Sequence, residues 1–111
     1  MLRKYKVRNE KMATYREAVM LDIIMNGERP GRDIRNEYEA RTKHKMPLGS
    51  LYTTLTRMEA AGLVTSRTGG TTPERRGYPR KFFSITGTGE RALSAYKIFL
   101  VNGFGGALRH V

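Results

Sequence analysis

The chain has 111 residues, of which 39% are hydrophobic, enough for one domain with a modest core. Its 21 Lys and Arg against 10 Asp and Glu give a formal net charge of +11, which favours a polyanionic partner: DNA, RNA or an anionic membrane surface. The absence of cysteine excludes disulfides and thiolate metal sites and permits an intracellular location. No apolar run predicts a secretory signal or a membrane span, so we expect no membrane partner.

The first predicted elements are a basic arm and a strongly apolar helix. Residues 1–12 carry five cations against Glu10, and this arm either tracks a phosphate backbone or is a mobile terminus. Thr14 and Glu17 match a capping box and predict the start of a helix. The helix is apolar on most sides as far as Asn26–Gly27, which predicts a position at the centre of the fold.

A second helix is predicted from about Arg32 to Lys43. Ile34 and Tyr38 form its inward pair, and charges of both signs lie on its outer side. Because its charge is mixed, we interpret it as a helix that positions the next one. A short link, residues 43–47, then leads into the third helix.

The third predicted helix, residues 48–61, has an unusual outer face. Leu51, Leu55 and Met58 fall at i, i+4 and i+7 and form its inward stripe. The outer face carries small residues, hydroxyls and one arginine, which suit close approach to phosphates and base edges in a DNA major groove. An ordinary amphipathic helix with a Thr-rich surface is the alternative. The residues predicted to contact DNA here are Gly49, Ser50, Tyr52, Thr53, Thr56 and Arg57.

After the third helix the apolar pattern changes to that of strands. Gly62 stands where the helix should stop, as a C′ glycine. Residues 63–67 and 81–86 are predicted as the two strands of a hairpin. The connection between them is rich in Gly and Pro and long for a turn, which is typical of a functional or mobile loop. The DNA contacts predicted on this connection and at the start of the second strand are Arg75, Arg76, Tyr78, Arg80 and Lys81.

The last predicted helix has more apolar surface than one face can hide. Thr86 or Thr88 is expected to cap it. Most of its large apolar residues follow one stripe, but Ile98 and Phe99 fall off that stripe. We expect a second copy of the chain to cover this surface, unless these side chains only close the monomer core. The predicted dimer interface is Leu93, Tyr96, Ile98, Phe99, Leu100 and Val101.

The order of elements predicts a winged helix-turn-helix, mainly α with a small β-hairpin (α+β), to which a C-terminal dimerisation helix is added. We divide the chain into the arm at 1–12, a winged-helix DNA-binding domain at 13–87, and a dimerisation helix with tail at 88–111. The two histidines, His44 and His110, have no carboxylate pattern beside them. We therefore predict no enzyme, no catalytic residue, no cofactor and no metal site.

Two segments resemble the PadR family of bacterial and archaeal transcriptional regulators. Residues 48–64 match the family's Pro-Gly-Thr-Leu-Tyr-like helix start and Leu-Glu-x-x-Gly-Leu-like helix end, with Leu48 in place of the usual Pro. Residues 77–86 match its Pro-Arg-Lys-Tyr-Tyr-like wing strand, and the similarity extends over roughly residues 14–100. The resemblance, to the short members of the family, implies a cytoplasmic, nucleoid-associated repressor that acts as a homodimer. In some members a small aromatic or drug-like ligand releases the DNA.

The sequence is compatible with three functions. The favoured one is a sequence-specific regulator of double-stranded DNA, binding an inverted repeat with helix 48–61 in the major groove and the 67–81 wing on the backbone or minor groove. The second is a basic architectural or RNA-binding module without sequence specificity, and the third is a winged-helix module for protein contacts. The hydroxyls of Ser50, Thr53 and Thr56 favour the first, because a purely electrostatic binder would carry Lys and Arg there.

Overall fold

The computed structural model describes residues 12–70 and 80–105. Outside these ranges lie residues 1–11, 71–79 and 106–111. They are the predicted arm except Met12, the middle of the wing loop, and the end of the chain. The order of elements confirms the predicted mainly α, winged-helix architecture. The elements are α1 (Tyr15–Ile23), β1 (Arg29–Pro30), α2 (Gly31–Thr42), α3 (Leu48–Ala60), β2 (Val64–Thr68), β3 (Lys81–Ile85) and α4 (Gly87–Gly103).

Helix α1 begins with the predicted capping box. The Thr14 hydroxyl accepts a hydrogen bond from the Glu17 amide (3.2 Å), and the Thr14 amide donates to the Glu17 carboxylate (3.0 Å). The helix ends at Ile23, before the predicted stop at Asn26–Gly27, and Met25 is left exposed. Ala18, Met20, Leu21 and Ile23 are buried, and Val19 packs against them, whereas Tyr15 at the start of the helix is exposed. Most of the apolar surface of α1 thus lies in the core, as expected.

The core joins α1 to the inward sides of the other helices and of the sheet. The residues with little or no exposure include Met20, Leu21, Ile34, Tyr38, Leu51, Leu55, Met58, Val64, Phe83 and Leu93. The inward pair predicted for α2 and the inward stripe predicted for α3 are both among them. Burial of these two stripes therefore fixes the orientation of α2 and α3 relative to α1.

The turn that follows α3 leads into strand β2 and is also hydrogen-bonded to the start of α4. Gly62 has a left-handed backbone (φ 82°), as expected of a C′ glycine, and the Leu63 amide donates to the Met58 carbonyl (2.9 Å). Thr86, the N-cap of α4, donates its hydroxyl hydrogen to the Gly62 carbonyl (2.6 Å) and accepts from the Gly89 amide (3.0 Å). The same threonine thus caps α4 and attaches it to the turn that ends α3.

The sheet has a third strand that the sequence pattern did not predict. Its order is β1-β3-β2 with antiparallel pairing, and Phe82 of β3 lies opposite Pro30 on one side and Arg67 on the other. β1 has only two residues, too few to show the alternation that identifies a strand. Pro30 is tolerated because β1 is an edge strand.

Leu55 and Thr53 test which face of α3 is structural. We expect Leu55→Ala to lower the free energy of unfolding by about 2–5 kcal/mol, because Leu55 is completely buried and its loss leaves a cavity. Thr53→Ala, on the exposed side, should change it by no more than about 0.5 kcal/mol. Urea unfolding followed by circular dichroism measures both. A greater loss for Thr53→Ala would reverse the assignment of the two faces.

Candidate nucleic-acid interface

The outer side of α3 is one continuous exposed stripe. Five of the six residues predicted to contact DNA on this helix lie on it, and a methyl group added to Gly49 would meet no other atom within 4 Å. The opposite side is held by fully buried side chains, so α3 presents this stripe on a rigid support. The exposed residues are Gly49, Ser50, Thr53, Thr56 and Arg57.

Tyr52, the sixth predicted DNA contact on α3, is half-buried. Its ring lies 6.2 Å from the ring of Phe83, and a methyl group on Gly31 would come within 2.7 Å of its Cζ atom. Much of the Tyr52 side chain therefore packs α3 against α2 and the sheet, a role that the sequence pattern did not indicate. The neighbouring Thr54 also faces inward, and its hydroxyl donates to the Ser50 carbonyl (2.9 Å).

The amino end of α3 has neither a side-chain cap nor an acidic residue to offset its partial positive charge. Its N-cap is Pro47, which makes no side-chain hydrogen bond, and the first turn contains no acidic residue. By contrast, α1 and α4 each have a threonine cap and a glutamate in the first turn. The unpaired amide groups and the helix dipole give the start of α3 a partial positive charge that favours an anion.

At the base of the wing, two arginines share one aromatic ring. The guanidinium groups of Arg67 and Arg80 lie 4.7 Å and 5.3 Å from the centre of the Phe82 ring. Arg67 also forms two hydrogen bonds with Glu28, of 2.7 and 2.8 Å, and these lower the pKa of the Glu28 carboxyl. The charge of Arg67 is therefore balanced within the protein, by a glutamate 39 residues away that sequence reasoning missed.

Of the other predicted wing contacts, Arg80 is half-buried against Phe82 and Lys81 is exposed at the start of β3. The remaining three, Arg75, Arg76 and Tyr78, lie outside the described residues. In the part of the wing that the structure describes, the predicted DNA contacts are therefore Arg80 and Lys81, and both lie near the Arg67–Glu28 pair.

The predicted dimer residues on helix α4 fall into three groups by exposure. Leu93 is 4% exposed and lies in the core of its own chain, so it is not available to a second copy. Tyr96, Leu100 and Val101 are half-buried, with Tyr96 packed on the core. Ile98 and Phe99 are 58% and 50% exposed, which is the surplus apolar surface expected from the sequence.

A carboxylate at the end of α1 connects three helices. Asp22 accepts from Arg41 of α2 (2.8 Å) and from Lys97 of α4 (3.1 Å), and these hydrogen bonds lower the pKa of Asp22. Arg41 also pairs with Glu37 within α2 (2.9 Å). These ion pairs fix the side chains of Arg41 and Lys97 on the side of α1 that faces α2 and α4.

The described part of the chain contains neither a candidate metal site nor a candidate membrane-spanning helix. No group of three His, Asp or Glu side chains is placed to hold a metal ion. Within the same residues, no helix combines the length and apolar character needed to cross a bilayer.

Comparison with known proteins relates this geometry to one family. Residues 20–95 match the model of the transcriptional regulator PadR-like family, whereas no curated protein sequence matches the chain. A transcriptional regulator from Clostridium thermocellum has a TM-score of 0.70 at 18% identity, over 100% of this chain and 99% of its own. A PadR-like regulator from Bacillus cereus gives 0.67 at 22%, over 85% and 87%. Bacillus subtilis PadR, in complex with operator DNA, gives 0.64 at 21%, over 74% and 47%. These similarities confirm the fold.

The ion pair at the base of the wing gives a prediction for pH titration. Arg67→Ala should raise the pKa of Glu28 back toward its ordinary value, because the guanidinium that stabilises the carboxylate is lost. Because the pair is exposed, it adds only a small stabilisation of the native state at neutral pH, and this is lost as the pH falls through the pKa of Glu28. The variant should therefore show a slightly weaker loss of stability in acid.

Carboxyl-detected NMR titration measures this pKa directly. Lys81→Ala, which removes an exposed cation from the same hairpin, is the matched control and should leave the pKa of Glu28 close to that of the unmodified protein. An unchanged Glu28 pKa in Arg67→Ala would show that the pair does not form in solution.

Proposed function

This chain belongs to the PadR-like family of transcriptional regulators, which are not enzymes, and we propose that it is a sequence-specific repressor that binds double-stranded DNA as a homodimer. The observation that carries the proposal is the exposed stripe of α3, which is polar, narrow and rigidly supported. A net charge of +11 supplies the general attraction to DNA. A regulator of this kind would act in the cytoplasm, at the nucleoid.

In this proposal α3 enters the major groove. From Gly49 to Arg57 the stripe extends about 12 Å at 1.5 Å per residue, close to the width of the groove. Gly49 allows close approach, and the hydroxyls of Ser50 and Thr53 can donate to or accept from base edges. Arg57, in the last turn, would reach a guanine or a phosphate. A module that only neutralises charge would have no use for hydroxyls at these positions.

The wing supplies backbone or minor-groove contacts in the same proposal. Arg80 and Lys81 stand at its base, and the sequence adds Arg75 and Arg76 in the loop. Arg67 is assigned a different role, because its guanidinium is already paired with Glu28. The complex of Bacillus subtilis PadR with operator DNA supports duplex DNA as the ligand of this chain.

The dimer completes the proposal because one winged-helix unit covers only a short half-site. Ile98 and Phe99 are large apolar side chains with half or more of their surface exposed on α4. Pairing of two copies through α4 would cover them and relate the recognition helices by a two-fold axis. An inverted repeat with half-sites one duplex turn apart, about 34–36 Å, follows from that symmetry.

The proposed reading role of α3 is tested by selecting duplexes from a random pool and competing them against bulk DNA. We expect an enriched inverted repeat. Thr53→Ala combined with Thr56→Ala should weaken binding to the selected site roughly tenfold or more, since a base contact contributes about 1–3 kcal/mol. Binding to bulk DNA should change little.

Ser94→Ala, which removes an exposed hydroxyl from α4, is the matched control and should leave both affinities unchanged. Enrichment of no sequence would favour an architectural or RNA-binding module. If the protein bound no nucleic acid at all, the protein-contact module would remain.

The proposed dimer is tested at its exposed residues. Ile98→Asp combined with Phe99→Asp should give a folded monomer that binds the inverted repeat much more weakly, because two charges would be buried at the interface. Sedimentation velocity and circular dichroism report assembly and folding. Ala40→Asp, on the exposed side of α2, controls for added charge. A double variant that still sediments as a dimer would move the interface away from α4.

A further inference from the structure

The turn between α2 and α3 carries three consecutive exposed basic or titratable residues, Lys43, His44 and Lys45. Lys43 has φ 63° and ψ 20°, and among the described residues it is the only one other than glycine with a positive φ. Side chains disfavour this left-handed conformation, and glycine or asparagine is the usual residue at the end of a helix that adopts it. The backbone here would be more stable with glycine than with lysine.

The turn is held firmly despite this unfavourable backbone. The Thr42 hydroxyl donates to the Tyr38 carbonyl (2.9 Å) and accepts from the His44 amide (3.2 Å). At the other end, the Met46 amide donates to the Glu39 carboxylate (2.6 Å), and the Met46 side chain is 2% exposed. A turn fixed on both sides keeps the intervening cations in a defined place relative to α3.

Within the part of the chain that the structure describes, the cations of this turn have no carboxylate partner. No described carboxylate forms an ion pair with Lys43 or Lys45, whereas Arg67 and Lys97 each pair with one carboxylate and Arg41 pairs with two. Glu39, the acidic residue that contacts the turn, is bonded to a backbone amide. The charges of Lys43 and Lys45 are therefore available to an external anion.

The turn directly precedes the reading helix, whose exposed stripe begins at Gly49. A helix that contacts bases through its first turns lies across the groove, so the residues just before it reach the groove wall, which is made of phosphates. We propose that the Lys43–Lys45 turn is a second surface, separate from the wing, that binds the phosphates of the DNA backbone. These contacts would fix the depth and the register of α3 in the major groove. This inference rests on the proposed function, because it assumes that α3 enters the major groove.

Phosphate contact also explains why a lysine occupies a backbone position better suited to glycine. Its charge, and not its effect on the turn, is what the position needs. Lys43 and Lys45 would act as positioning residues that carry no sequence information of their own. Their loss should then weaken specific and non-specific binding alike, which distinguishes them from Thr53 and Thr56.

The first test measures how binding depends on salt, on the selected site and on bulk DNA. Lys43→Ala combined with Lys45→Ala should reduce the log–log slope by about 1.8 for each protomer bound, at about 0.9 per lost phosphate contact. The preference for the selected site should be retained. Arg16→Ala combined with Arg91→Ala, which removes two exposed cations from α1 and α4, is the matched control and should leave the slope unchanged.

The second test separates the effect of the Lys43 charge on DNA binding from the effect of its backbone conformation on stability. Lys43→Gly should keep or raise the melting temperature, because glycine adopts φ 63° without strain. It should also lower the log–log slope by about 0.9 for each protomer bound. Lys43→Arg should keep the slope of the unmodified protein. If Lys43→Gly bound DNA with an unchanged slope, Lys43 would be only a turn residue.

The outcomes distinguish this inference from the function on which it rests. An unmodified protein that binds no DNA would overturn both. Binding of the unmodified protein together with an unchanged slope in the turn variants would overturn the turn surface alone. An equal loss of slope in the Arg16 and Arg91 control would also overturn it, since net charge and not the turn would then be responsible.

Discussion

Burial of one side of α3 is the constraint on which the rest of the structure depends. Leu51, Leu55 and Met58 have no exposed surface, and they pack into a core centred on α1. Because the outer side of α3 is exposed, the helix is held by its inward side, where Tyr52 and Thr54 pack beside this stripe. The packing has to be tight, because a small rotation of α3 would move every hydroxyl on its outer side.

The turn at the end of α3 links the position of α3 to that of α4. Gly62 ends α3 with a left-handed residue, and its carbonyl accepts the hydroxyl of Thr86, which caps α4. Gly89 is required at this contact, since a side chain there would overlap the Leu63 carbonyl. The helix that we propose as the dimer interface is thus fixed to the end of the helix that we propose to read DNA. The separation of two reading helices in a dimer would depend on this contact.

The cations of the described residues fall into two groups with different tasks. Arg41 and Lys97 converge on Asp22, and Arg67 pairs with Glu28, so these three are used within the protein. Ion pairs of this kind on a surface contribute little to stability, and their main effect here is to fix side chains and to remove their charges from the outer field. Among the described residues, Lys43, Lys45, Arg57, Arg80 and Lys81 form no ion pair with a carboxylate, so their charges remain available beside α3 and at the base of the wing.

Features governed by residues close together in the chain were predictable from the sequence by itself. The capping box at Thr14, the inward stripe of α3 and the stop at Gly62 depend on spacings of three to eleven residues, and each forms as expected. Only the tertiary structure decided what distant residues do. It paired Arg67 with Glu28, turned the Tyr52 ring toward Gly31 and Phe83, and added β1 to the sheet. It also separated buried Leu93 from exposed Ile98 on α4. The physical reason is that periodicity and caps act through local backbone geometry, whereas these contacts exist only after the core has brought separate segments together.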